Sequence, residues 1–137
     1  MAYTVNGTTV IDNSRNLSSI ESATLKKVVE TAVALGNSGT SKTIDLANGT
    51  VYTSTLTGNC TFTVSNPGGV SSFSLLLTND GTAGRTVAWA GGSFRFPGGA
   101  SSLTRTTAAN GIDLWVFFTP DSGTTYYGNI AFKNLAA

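Results

Sequence analysis

The 137 residues carry a net charge of +1, with 11% charged and 40% hydrophobic residues. Globular chains average about 25% charged residues; here Thr, Ser, Asn and Gly fill the gap, a composition that suits a β surface better than a disordered chain. The scattered basic residues form no stripe for nucleic acid, and the longest apolar run, Leu114 to Phe118, is far short of the roughly 20 residues that span a bilayer.

The chain opens on a hairpin pattern, Tyr3 to Ile11, around Asn6-Gly7, a pair that favours a type I′ turn because it tolerates positive φ at both positions. An isolated hairpin is only marginally stable, so this arm must lie against another surface. Tyr3, Val5, Val10 and Ile11 are its candidate attachment residues. The first residues, MAYTVNGTT, lack a basic n-region and an apolar h-region, so no secretory leader is expected.

After a polar connector, Ser18 and Glu21 have capping-box spacing, and Leu25, Val28, Ala32 and Leu35 follow at 3-4-3 intervals before Gly36. This spacing predicts a short helix. It either packs on its own β domain or forms a seam between identical chains, with those four apolar residues as the oligomer interface. Asn37 to Ser41 reads as a flexible joint, dividing an arm over residues 1–41 from a β domain over 42–137.

Beyond the joint the period is two. Strands are expected over Thr43–Ala47 and Thr50–Leu56, joined by a second type I′ candidate at Asn48-Gly49, then over Cys60–Ser65 and Val70–Thr78. Arg85–Ala90 follows, then a brief extended Phe94-Arg95-Phe96 and a short edge strand, Leu103–Thr107. Ile112–Thr119 is apolar on both faces and reads as a central strand covered on both sides. Thr124–Lys133 closes the chain with Tyr126, Ile130 and Phe132 on one face. Short alternating strands with frequent turns predict a mainly β fold, an antiparallel β-sandwich or jelly-roll-like domain.

Chemistry is sparse. Cys60 is the sole cysteine, so no internal disulfide can form, and its strand position suits a small buried hydrophobe. Histidine is absent, which removes the commonest general base and metal ligand. The seven carboxylates never pair closely in sequence, and no nucleophile has a base and an orienting group around it. Asn79-Asp80-Gly81 begins like a calcium loop but lacks its later ligands, so turn chemistry explains it better. No catalytic, cofactor or metal residues are expected. Trp89, Trp115, Tyr126 and Tyr127 could stack on a sugar ring, with core packing the alternative for the tryptophans.

Two stretches resemble tailed-bacteriophage virion proteins. VNGTTVIDNSRNLSSI is similar to a segment that punctuates phage fibres, and LTGNCTFTVSNPGGVSSFSLLLTNDGTAGRTVAWAGGSFRFPGG resembles a small β-domain of phage structural proteins. The second pattern continues through Leu114–Phe118 and Asp121–Gly128. The resemblance implies a non-enzymatic, homotrimeric component of the virion surface, assembled in the bacterial cytoplasm. Long fibres carry an attachment domain and shaft repeats that this sequence lacks. Its size therefore suits a capsid decoration (cement) protein bound to the major capsid protein. The alternative is a short tail fibre or tail tip that binds a host surface glycan.

Overall fold

The computed structural model describes residues 3–5, 8–11, 22 and 24–135. The fold is mainly β, as the alternation requires. β1 (Tyr3–Val5) and β2 (Thr8–Ile11) pair antiparallel, Val5 opposite Thr8 and Tyr3 opposite Ile11, while the Asn6-Gly7 turn lies outside the described residues.

The body begins with β3 (Val33–Asn37), β4 (Ser41–Asp45), β5 (Val51–Leu56), β6 (Cys60–Ser65), β7 (Ser71–Asn79) and β8 (Val87–Ala90). Successive strands alternate between two sheets, β3, β5 and β7 in one and β4, β6 and β8 in the other. Within each sheet these neighbours run parallel. The chain therefore winds as a flattened coil, and each crossing to the facing sheet supplies the return path that parallel pairing needs. β9 (Ser93–Arg95) then pairs parallel with β11 (Thr125–Leu135), and β10 (Ile112–Thr119) inserts antiparallel between β7 and β11. The larger sheet has six strands in the order β3-β5-β7-β10-β11-β9, and the smaller has three.

This pairing corrects the antiparallel expectation for the first half of the body. Asn48-Gly49 makes no hairpin, because β4 and β5 belong to different sheets. The Asp45 carboxylate accepts from Ala47 N at 3.1 Å, which starts a 3-10 turn (Leu46–Asn48) and directs the chain across. The joint at Asn37–Ser41 is likewise a fixed corner. Ser38 is buried, its N–H donates to Thr55 O at 2.8 Å, and its hydroxyl accepts from Thr57 N at 3.1 Å. β3 lies on the N-terminal side of residue 41, so the six-stranded sheet extends across that joint.

The predicted helix is also corrected over its described part. Residues 24–32 adopt no regular secondary structure, and Val33–Asn37 is strand. Val28, Val29, Thr31 and Val33 are β-branched, a poor helix composition unless packing compensates. Val33 and Leu35 instead find an apolar surface at period two, packing against the core from β3. Ser18 and Glu21 lie outside the described residues. No described helix is long and apolar enough to cross a membrane.

The two sheets enclose one core. Ile44, Cys60, Phe62 and Val64 enter from the smaller sheet, and Tyr52, Leu56, Phe73, Leu75, Leu77, Trp115, Phe117, Tyr126 and Ile130 from the larger. Each large side chain so buried contributes about 1.5–3 kcal/mol relative to exposure. Phe117 is central, stacked on Phe73 at 4.7 Å and lying 4.5 Å from the Trp89 ring. Gly128 sits where an added Cβ would collide with the Phe117 ring, so this position must stay bare.

Three further expectations change here. Leu103–Thr107 is an irregular segment rather than an edge strand. β10 is central but covered on one face only, with Val116 and Phe118 exposed on the other. Phe132 does not share a face with Tyr126 and Ile130. Trp115 pairs with Ile130 while Leu114 pairs with Phe132, a bulge that flips the parity of β11 and turns Phe132 outward.

Candidate functional site

The first feature that could carry function is the outer face of the six-stranded sheet. Leu76, Leu114 and Phe132 form a row across β7, β10 and β11, and Phe118 faces Tyr127 in a second row, with Val116 between. Phe132 is 60% exposed, Tyr127 54% and Phe118 45%, high values for side chains of this size. A cavity of about 610 Å³ runs beside Phe118 and Tyr127, bounded by Arg95 and Pro97. Single exposed apolar residues are ordinary, but a contiguous patch marks an interaction surface.

The second feature is an aromatic cleft of about 630 Å³ at the open edge of β8. Trp89 rises from β8 and Trp115 from β10, their rings 5.3 Å apart, and Phe94 lies 5.6 Å from Trp89. Phe96 and Leu103 complete the apolar lining. Cys60 N donates to Thr86 O at 3.0 Å. By the alternation of a parallel ladder, the backbone groups of Val87 and Trp89 then point away from β6, toward the edge where the cleft opens.

A polar clamp holds the opposite wall, Leu103–Thr107, in place. Asn79 is buried, and its amide donates to Thr106 O at 3.0 Å and Ala108 O at 2.7 Å. The Arg105 guanidinium donates to the Asn79 side-chain oxygen and to Arg85 O. Asp113, also buried, accepts from Thr106 N at 2.8 Å and Asn134 N at 3.2 Å. Gly84 N donates to Thr107 O at 2.9 Å and ties this wall to the approach of β8.

Of the two arginines that line the cleft, Arg85 is ion-paired and Arg105 donates to neutral oxygens. Arg85 and Asp80 form an ion pair at 2.6 Å. The hydrogen bond from Arg85 holds the Asp80 carboxyl below its ordinary range and raises Arg85 in turn. Burial lowers the Arg105 pKa while the Asp113 carboxylate opposes that shift. Two donors stand apart: Trp115 Nε1 and Arg105 Nε are buried without a hydrogen-bond partner. Both residues line the cleft.

The Asn79-Asp80-Gly81 turn uses its carboxylate internally, on Thr82 N at 2.9 Å and on Arg85. Among the described residues no three Cys, Asp or Glu side chains gather as a metal site would require. Cys60 is buried on β6, and burial raises its thiol pKa above the ordinary value.

No family model, curated protein or solved structure matches this chain.

The residues singled out from sequence are distributed unevenly. Leu25 and Val28 are exposed at 64% and 67%, Ala32 is exposed, and Leu35 packs against the core, so no helical seam joins the four. Tyr3, Val5, Val10 and Ile11 lie in the strands of the hairpin. Of the four aromatics named as sugar platforms, Trp89 and Trp115 line the cleft, Tyr126 is in the core stacked on Phe94 at 4.8 Å, and Tyr127 is on the outer face. Sequence reasoning missed Leu103, Arg105 and Phe96 as cleft residues. The available signal was Arg105 inside an otherwise uncharged stretch.

Proposed function

We propose that this protein is a non-enzymatic structural component of a phage virion surface, a homotrimer that decorates the capsid and adds contacts between capsid subunits. The outer face of the six-stranded sheet carries the reading. Leu76, Val116, Phe118, Tyr127 and Phe132 are exposed together, in a chain that gathers no three Cys, Asp or Glu side chains as a metal site would among its described residues. A second copy is the occupant of that face. The exposed apolar residues Leu25, Val28 and Val29 lie in an irregular segment whose Glu30 hydrogen-bonds to Thr50, and Glu30 borders the same cavity as Val116. Laying this segment on the sheet of a neighbouring copy would cover both apolar surfaces at once. The number three, and the place on the virion, follow from the sequence resemblance. The hairpin, with Tyr3, Val5, Val10 and Ile11, is the part assigned to the capsid.

Sedimentation velocity tests the assembly, and electron microscopy of intact virions the location. The wild type is expected to sediment as a trimer at micromolar concentration and Phe118→Glu as a folded monomer. A monomeric wild type, or a trimeric Phe118→Glu, overturns the assembly. Absence of the protein from the head surface overturns the decoration role.

A further inference from the structure

We propose that the cleft between β8 and the Leu103–Thr107 wall is a binding site for a saccharide ring, separate from the surface assigned to assembly. Three properties of the cleft define the ligand. Its walls are aromatic, since Trp89, Phe94 and Phe96 are each half-buried, and such rings stack on the apolar C–H faces of a pyranose. Its buried unpaired side-chain atoms are donors: the Trp115 indole N–H and the Arg105 Nε–H have no partner, and neither group can accept. Leaving a buried donor without a partner is costly, and a ligand oxygen would recover that cost. The cations are already engaged, Arg85 on the Asp80 carboxylate at 2.6 Å and the Arg105 guanidinium on the neutral oxygens of Asn79 and Arg85. A neutral, acceptor-rich ligand with apolar faces is a sugar. The volume of about 630 Å³ lies within the usual range for small-molecule sites.

An added peptide strand fits less well. The lane beside β8 is closed at one end, where Gly84 N holds Thr107 O at 2.9 Å and the Arg105 guanidinium holds Arg85 O. A ring needs no open lane. The backbone edges of Val87 and Trp89 supply both donors and acceptors to its hydroxyls. Reaching the buried donors requires the segment that begins at Gly98 and Gly99, both at positive φ, to shift outward and release part of its clamp on Asn79 and Arg85.

The chain has two tryptophans, and both line this cleft, so their indole N–H signals report its occupancy without a label. The experiment titrates ¹⁵N-labelled full-length protein with maltose, cellobiose, lactose and N-acetylglucosamine, using Trp89→Phe to assign the Trp115 signal. At least one sugar is expected to shift the Trp115 signal saturably, with half-saturation at about 1–10 mM, the affinity of a single ring making few polar contacts. Ala100→Phe, which fills the exposed mouth, should weaken that binding at least about tenfold. Phe118→Glu should leave it unchanged, which separates a failure of this site from a failure of assembly. No shift with any of the four sugars overturns the proposal. A shift with sodium benzoate or an extended hydrophobic peptide, but with none of the sugars, overturns it equally.

Discussion

The two halves of the body solve the same problem differently. From Val33 to Ala90 the chain coils between two sheets, every neighbour runs parallel, and the inward residues mix aliphatics such as Ile44, Leu56, Val64, Leu75 and Leu77 with the rings of Tyr52, Phe62 and Phe73. From Ser93 to Leu135 it forms an antiparallel hairpin with one parallel edge strand, and its interior is a raft of aromatic rings: Phe94, Phe96, Trp115, Phe117 and Tyr126. The coil can close its core because each turn stacks on an equal one. The smaller sheet ends at β8, and beyond its open edge the irregular wall Leu103–Thr107 and its clamp stand in for a further strand. A wall assembled from side-chain hydrogen bonds leaves a cleft where a ladder would have left none.

The largest effect expected from this contrast belongs to Phe117, which touches both halves through Phe73 and Trp89. Phe117→Ala should lower unfolding free energy by about 3–5 kcal/mol in urea titration, against about 0.5–1.5 kcal/mol for Ile44→Val within the coil. Similar losses for the two would remove the aromatic raft from its central role.

Next comes the clamp. Asn79→Ala strips the donor from the carbonyls of Thr106 and Ala108 and should cost about 1–3 kcal/mol. The damage should be local. Hydrogen exchange should accelerate over residues 97–111 well before it does in β4 and β6, and equal acceleration in both would mean that the halves are not independent.

The smallest effect is electrostatic. Asp80 is held below its ordinary pKa first by the hydrogen bond from Arg85, and Asp121, in the β10–β11 turn, first by the backbone N–H of Thr125. A depressed carboxyl adds stability that is fully present above its unfolded value of about 4 and is lost as pH falls through the folded value. The urea midpoint should therefore hold down to about pH 5 and drop toward pH 3. Asp121 is solvent-exposed and Asp80 is half-buried beside an accessible partner, so the drop should be modest. The double variant Asp80→Asn, Asp121→Asn should drop less, and an undiminished fall would place the acid sensitivity elsewhere.

Much of the strand content was legible because a half-buried strand writes its alternation into the sequence. β6 was read at its full extent, Cys60–Ser65, and Phe73, Leu75 and Leu77 on β7 do share the buried face. Partnership was not legible. A strand alternates identically whether its neighbour is parallel or antiparallel, and Asn48-Gly49 looks like a hairpin turn until Asp45 caps the chain into a crossing. The helix failed for a related reason: Leu25, Val28, Ala32 and Leu35 fit period 3.6, yet Val33 and Leu35 also fit period two, and the sheet edge offered by β5 decided between them. The cleft was half visible. Trp89 and Trp115 announced themselves as aromatics, but Arg105 and Asn79 meet only through the tertiary path of the wall.

The alternation of strands between sheets also bears on the order in which the molecule assembles. In the coil Val33 pairs with Tyr52, Ser41 with Thr61 and Cys60 with Val87, so each ladder must wait for the chain to travel across the facing sheet and back. β10 and β11 alone in the body are neighbours both along the chain and in a sheet, joined through Pro120 to Thr124. Closing that short loop has a small entropic penalty, whereas the parallel rungs must spend much more chain freedom before any ladder forms. The hairpin is accordingly the natural nucleus. The expected order is β7 docking on it next and the coil zipping backward from there, with β3 the last strand of the body to pair.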